Sequence, residues 1–125
     1  MLWPSGSGES MRTRAEVDPW LKVELLDPFA SQYMGDRDRK DPLGSPLFAD
    51  LRGLPPMLVH VGDQEILLSD STRLAERARA AGVEIEIEVW DDLWHVWHLF
   101  APVLPDANAA LDRIGAFVRG KLGAR

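Results

Sequence analysis

Two strand-like segments separated by one helix constrain the fold of this chain more than any other feature. The first, MLVHV at 57–61, is a nearly continuous apolar run bounded by Pro56 and Gly62, which is typical of a parallel strand covered on both faces. The second, VEIEIEVW at 83–90, alternates apolar residues with glutamates, which is typical of a half-buried strand. Because a helical crossover joins the two strands, we expect them to pair in parallel in an α/β fold.

The pattern places the remaining elements around this pair of strands. We predict parallel strands near 57–62 and 83–90, flanking helices near 70–81 and 106–122, a loop at 1–14, and short helices with a Pro-rich connection at 15–56. Pro19 and Pro28 should break the helical spacing after Ala15 into two pieces, the second ending near Gly35. The last helix carries an apolar stripe made of Ala110, Leu111, Ile114, Phe117 and Val118. We interpret residues 1–125 as a single partial α/β domain.

Composition removes several classes of function. The net charge of −6 argues against a nucleic-acid-binding surface, which needs clustered Lys and Arg. The absence of cysteine excludes disulfides, Cys-ligated zinc and thiol nucleophiles. No apolar stretch is long enough to span a membrane, and the first ten residues lack the features of a secretion signal. We therefore expect a cytoplasmic location.

Asp63 and His95 are the candidate catalytic residues. Asp63 directly follows the first strand, and His95 lies in the loop after the second. Since the carboxyl ends of parallel strands meet at one rim of the sheet, both residues should reach that rim. An Asp and a His there can act as the orienting acid and the base of a Ser-His-Asp triad, in the chain order that α/β hydrolases use.

Structural roles are the alternatives for these residues. Asp63 could be a turn residue, and His95 could be a hydrogen-bonded core histidine. We interpret His60 and His98 as structural, and His95-x-x-His98 as a metal pair lacks a firm third ligand. The tryptophans at 90, 94 and 97 either wall an apolar pocket or pack in the core, and core packing is favoured.

A nucleophile is not apparent. The nearest imitation of a Gly-x-Ser-x-Gly elbow is GESMR, with Gly8 and Ser10, but Arg12 replaces the second glycine and no apolar strand precedes it. Ser7 fails as well, and no His-Gly-Gly-like stretch supplies oxyanion donors.

Three blocks, DPLGSPLFADLRGLPP, VHVGDQEILLSDSTRLAERARAAGV and DDLWHVWHLFAPVLP, resemble consecutive blocks of the hormone-sensitive-lipase-like esterases, a branch of the α/β hydrolases. The resemblance runs from about Ser7 to Leu122. It implies that Asp63 is the catalytic acid and His95 the catalytic base. The residues Glu65, Leu67 and Asp70 match a segment that frames the acid. One departure is Asp92-Leu93, where the family usually carries Gly-Met.

The resemblance also implies an ester substrate, no cofactor, and an upstream segment. Members of this family carry an oxyanion segment and a Gly-Asp-Ser-Ala-Gly elbow before these blocks, and this chain begins after both. We therefore expect it to be the carboxyl-terminal portion of an esterase, inactive alone because the nucleophile is missing. The first strand should have an open edge that can pair with the upstream segment or with a second copy of the chain. The alternative is a non-catalytic truncated module that functions in self-association or protein binding.

Overall fold

From residue 57 onwards the secondary structure follows the predicted order of strand, helix, strand and helix, whereas the loop predicted at 1–14 contains a short helix, Ser10–Thr13. A computed structural model describes residues 6–123. Its helices are Ser10–Thr13 (α1), Val23–Met34 (α2), Leu68–Ala80 (α3) and Pro105–Leu122 (α4), its strands are Met57–Gly62 (β1) and Ile85–Trp90 (β2), and short 3₁₀ helices cover Pro46–Phe48 and Trp97–Phe100. These residues form two compact units, 6–95 and 96–123. The single partial domain over the whole chain stays a prediction.

In the first unit, β1 and β2 pair in parallel, as predicted. The register runs from Met57 opposite Ile85 to Gly62 opposite Trp90. Among residues 6–123 the sheet has these two strands and no third. Because the two strands are parallel, both of them end at the same rim of the sheet.

One core cluster lies where α3 packs on the sheet. It contains Leu51, Ala75, Ala78, Val83 and Ile85, with Ile87 and Val59 packed against it. Small alanines on α3 allow the helix to approach the branched side chains of the strands closely. Val89 lies beyond this cluster and is 46% exposed, although the alternation of the strand had grouped it with the buried residues.

A second cluster joins α1, α2 and the segment before α3. Its buried members are Met11, Leu26, Ala30, Ile66 and Leu67. This packing explains why α2 continues through Pro28, where the sequence predicted a break. A proline inside a helix costs about 3 kcal/mol. Burying an aliphatic side chain contributes about 1.5–3 kcal/mol, so Leu26 on one side of Pro28 and Ala30 on the other help to offset that cost.

The second unit consists of the Trp97–Phe100 turn and α4. Pro105 stands in the first turn of α4, where the missing N–H of a proline has no intrahelical partner to lose. Of the apolar stripe predicted for this helix, Ala110 is buried, whereas Leu111, Ile114 and Val118 are exposed by 37–45%. An apolar stripe is buried only where another layer covers it, and the described residues leave these three side chains uncovered.

Candidate active site

The rim of the sheet is formed by the segments that follow β1 and β2. The N–H of Asp63 donates to the carbonyl of Trp90 at 2.9 Å, which extends the strand pairing by one residue. One residue later, the N–H of Gln64 donates to the carbonyl of Leu93 at 3.1 Å. These two bonds fasten the turn after β1 to the loop that carries His95.

His95 is paired with Glu65. Nδ1 of His95 lies 2.9 Å from Oε2 of Glu65, and the other carboxylate oxygen of Glu65 accepts the N–H of Gly62 at 2.7 Å. The Glu65 side chain is 4% exposed, whereas that of His95 is 28% exposed. An ionised carboxylate can only accept, so Nδ1 carries the hydrogen of this contact, and Nε2 is the ring nitrogen that does not face Glu65.

A tight turn brings the Glu65 carboxylate back over the end of β1. The N–H of Glu65 donates to the carbonyl of Gly62 at 3.2 Å, closing a reverse turn over 62–65. The N–H of Ile66 donates to Oδ2 of Asp18 at 2.9 Å, and the Ile66 side chain is completely buried. The residue after Glu65 is thus anchored on its backbone and on its side chain, which fixes where Glu65 points.

Asp63, the acid predicted from the sequence, has different partners. Its Oδ1 accepts the backbone N–H of Asp92 at 2.8 Å and the side-chain amide of Gln64 at 3.0 Å. Its backbone carbonyl accepts Nε of Arg14 at 2.7 Å. The structure therefore brings Asp63 to the predicted rim but joins it to the loop backbone, and Glu65 takes the place beside His95.

Glu65 was missed as the partner of His95, although its sequence context carries a signal. Asp63 and Glu65 lie two positions apart, and the run after Glu65, Ile66-Leu67, is apolar. Ile66 and Leu67 are both buried, so the turn that carries Glu65 lies against the core. A buried carboxylate then requires donors, which here are the Gly62 N–H and the His95 ring.

The backbone around His95 is unusual. Asp92 and Val96 have φ values of 58° and 54°, in the left-handed region that few non-glycine residues adopt. Gly62 allows this loop to approach the strand, because a Cβ at that position would collide with the carbonyl oxygen of Leu93. The departure at Asp92-Leu93 noted in the sequence thus coincides with a left-handed residue that is fixed by a hydrogen bond.

The serines considered as nucleophiles are engaged elsewhere. Ser10 is 2% exposed, donates to the carbonyl of Ile66 at 2.5 Å and accepts the N–H of Ser69 at 2.9 Å. Ser7 accepts a hydrogen bond from Arg73. Within residues 6–123, the hydrogen-bond partner of the His95 ring is Glu65 and not a serine.

A cavity of about 910 Å³ opens beside His95, which forms part of its wall. Most of the other lining comes from α2 and its flanking segments, including Trp20, Phe29, Tyr33 and Leu43. These four side chains are 48–80% exposed, so the cavity is apolar but open. The tryptophan that lines it is Trp20, and not one of the three near His95 that the sequence offered as a pocket wall.

The other two histidines lie in regular elements. His60 is in β1, and its Nε2 lies 3.2 Å from Oε2 of Glu88, its register partner on β2. His98 is in the Trp97–Phe100 turn, with its ring centroid 4.2 Å from that of Trp97, a buried residue. Among residues 6–123, no group of three or more acidic or histidine side chains could hold a metal ion.

The family of the chain follows from comparison with known proteins. A family model described as the alpha/beta hydrolase fold matches residues 1–99. The chain belongs to the alpha/beta hydrolase family. Its parallel strands agree with the pattern of the sequence, and the acid beside His95 at their rim is Glu65 and not Asp63.

Individual alpha/beta hydrolases support the esterase branch. An acetyl-hydrolase of Streptomyces hygroscopicus is 39% identical over 116 residues, which are 93% of this chain and 39% of that protein. An esterase of Acinetobacter venetianus is 39% identical over 112 residues, 89% of this chain and 37% of the relative. The chain thus spans about two fifths of the length of these alpha/beta hydrolases.

Solved structures of alpha/beta hydrolases agree with this fold. An esterase from the bacterial hormone-sensitive lipase family is 50% identical with a TM-score of 0.90, over 92% of this chain and 39% of the other. An esterase/lipase from an uncultured bacterium is 44% identical with a TM-score of 0.92, over 97% and 40% of the two chains. The resemblance to hormone-sensitive-lipase-like esterases is confirmed. None of the helices among residues 6–123 has the length and apolar character needed to cross a bilayer.

Proposed function

We propose that this chain supplies the base and the acid of a serine carboxylesterase, with His95 as the base and Glu65 as the acid. The observation that carries the proposal is the 2.9 Å contact between His95 Nδ1 and the buried Glu65 carboxylate at the carboxyl rim of the parallel strands. This proposal replaces Asp63 as the acid, because the Asp63 carboxylate is bonded to the backbone of Asp92. The substrate class is a carboxylic ester.

The proposed chemistry follows from the orientation of the imidazole. Nε2 of His95 takes the proton of a serine hydroxyl as its oxygen attacks the ester carbonyl, and it then returns that proton to the departing alkoxide. Glu65 keeps the Nδ1–H tautomer in place and stabilises the imidazolium formed during the attack. Water, deprotonated by Nε2 of His95, then attacks the acyl-enzyme, and the proton returns to the serine oxygen as the carboxylic acid is released.

The serine and the oxyanion donors are assigned to protein outside residues 6–123. Ser10 is unsuited to attack because its hydroxyl is buried and donates to a main-chain carbonyl. The chain by itself is therefore proposed to be inactive. The matched hydrolases are more than twice as long, which leaves room in such a protein for the missing groups.

Short acyl esters are the proposed substrates. The relatives include an acetyl-hydrolase, and the crystal structure of a 44% identical protein, EstE5, was obtained after a soak with p-nitrophenyl butyrate. The open apolar cavity beside His95 can receive an aliphatic or aromatic portion of such an ester without needing a charged partner.

A chimera tests the assignment. The matching region of the Streptomyces acetyl-hydrolase is replaced by this chain, and hydrolysis of p-nitrophenyl acetate and butyrate is measured. Glu65→Gln should reduce kcat roughly 10⁴-fold, as Asp-to-Asn does in serine-protease triads, and His95→Ala should be at least as damaging. Asp63→Asn should reduce kcat by only roughly tenfold. A larger loss for Asp63→Asn than for Glu65→Gln would return the acid role to Asp63.

A further inference from the structure

Asp63, together with Gln64, connects the turn after β1 to the loop that carries His95. Its backbone is fixed on both sides, by the N–H bond to the Trp90 carbonyl and by the Arg14 bond to its own carbonyl. Its carboxylate therefore occupies a defined position relative to the strand ends. From that position it reaches the Asp92 N–H, 29 residues further along the chain.

The residue that Asp63 bonds has a left-handed backbone, which few non-glycine residues adopt. Asp92 has φ 58°, and holding a non-glycine residue in this region is unfavourable by about 1–3 kcal/mol unless its surroundings compensate. A hydrogen bond from an N–H to a carboxylate is stronger than one between neutral groups, so the Asp63 bond opposes relaxation of that φ angle.

The backbone conformation of Asp92 affects His95, which lies three residues further along the chain. Leu93 is buried, and its carbonyl accepts the Gln64 N–H. The segment from Asp92 to His95 therefore has a fixed beginning. A change of φ at Asp92 would swing the ring away from Glu65.

We propose that Asp63 is a positioning residue, which sets the His95 ring against Glu65 by holding the left-handed backbone of Asp92. Within residues 6–123, Asp63 makes its side-chain hydrogen bonds to Gln64 and Asp92, and it acts on the His95 ring through the loop. This inference rests on the proposed function, in which the Glu65–His95 pair is the acid and base.

Nuclear magnetic resonance on the uniformly ¹⁵N-labelled 125-residue chain tests the inference without requiring activity. The readout is the solvent-exchange rate of the His95 Nδ1 proton, together with that of the Asp92 amide. Asp63→Ala should speed both exchanges roughly tenfold, because a bond to a charged acceptor is lost. Asp63→Asn retains a neutral acceptor and should speed them only roughly threefold.

Two controls separate positioning from general effects. Asp91→Asn removes the same charge from the same loop at an exposed side chain and should leave the ring signal unchanged. Ile85→Val, at the far end of β2, lowers the free energy of unfolding by about 0.5–1.5 kcal/mol without touching the loop, and it should also leave the ring signal unchanged.

The outcomes distinguish this inference from the proposed function. If Glu65→Gln abolishes the protected Nδ1 proton but Asp63→Ala leaves both exchange rates within twofold of the wild type, the positioning role is overturned while the Glu65–His95 pair stands. An equal effect of Asp91→Asn would also overturn it. If Asp63→Ala does not fold, Asp63→Asn decides the matter, and wild-type exchange rates in that variant reject the role. If Glu65→Gln leaves the exchange rate of the His95 Nδ1 proton unchanged, the proposed Glu65–His95 pair is refuted instead.

Discussion

Asp18 and Ile66, 48 positions apart, are joined by a 2.9 Å hydrogen bond from the Ile66 N–H to the completely buried carboxylate of Asp18. The other oxygen of this carboxylate accepts the N–H groups of Trp20 and Leu21. One side chain thus connects the residue after Glu65 with a wall of the cavity. The carboxylate is a main organiser of the site, although it lies outside the proposed chemistry.

Asp18→Ala should lower the free energy of unfolding by about 3 kcal/mol or more, because buried N–H groups lose their acceptor. Urea denaturation followed by tryptophan fluorescence measures the change. The matched control is Asp27→Ala, which removes an exposed carboxylate paired with Arg39 and should cost less than about 1 kcal/mol. Equal losses for the two variants would contradict the role given to Asp18.

Gly62→Ala should damage the site as well as the fold. The added methyl group meets the main-chain carbonyl of Leu93, which cannot move aside as a flexible side chain could. We expect a loss of about 1–3 kcal/mol by thermal or urea denaturation, and loss of protection at the His95 ring. Gly120→Ala is the control, since open space surrounds that position in α4 and the alanine should be neutral or stabilising by up to about 1 kcal/mol.

Asp70 should make stability depend on pH. Burial raises the pKa of its carboxyl above the ordinary value, with Arg73 opposing the shift, and its buried Oδ2 has no hydrogen-bond partner among residues 6–123. A raised folded-state pKa means that the folded chain holds the proton more tightly than the unfolded chain. The resulting stability is complete below the unfolded pKa and is lost as pH rises through the folded one.

Asp70→Asn should abolish this loss, so the stability of the variant relative to wild type should increase as pH rises through that window. Denaturant titrations at a series of pH values measure it. Asp50 provides a contrast, because Arg52 lowers the pKa of its exposed carboxyl to about 2. Any stability from Asp50 is present above the unfolded pKa and is lost as pH falls towards 2, so a parallel response of Asp50→Asn and Asp70→Asn would refute the burial argument.

The purified chain should not react with a serine-directed fluorophosphonate. Activation of a serine needs a base within hydrogen-bond reach, and the described partner of the His95 ring is Glu65. Intact-mass measurement should show the unmodified chain, with an active serine esterase labelled in parallel as the positive control. A stoichiometric adduct would show that a serine of this chain is itself an activated nucleophile.

Local sequence patterns predicted most of the regular structure. The helix predicted near 70–81 is found at Leu68–Ala80, and the strand predicted near 83–90 is found at Ile85–Trp90. These elements have a clear period and a local stop such as Gly82, whose φ is 76°. The continuous α2 was not predicted, because Pro28 is a local signal for a break, while the contacts that maintain the helix come from distant Met11 and Ile66.

The sequence by itself determined that the acidic residues after β1 and the histidine after β2 would lie at one rim, since the carboxyl ends of paired parallel strands share a rim of the sheet. Only the tertiary structure decided which acid meets His95. Asp63 and Glu65 are equally acidic and two positions apart, but a reverse turn separates their directions, and that turn is held by Asp18 from a distant segment and by the close approach of Leu93 to Gly62. That choice is made by contacts across the fold, which spacing along the chain does not contain.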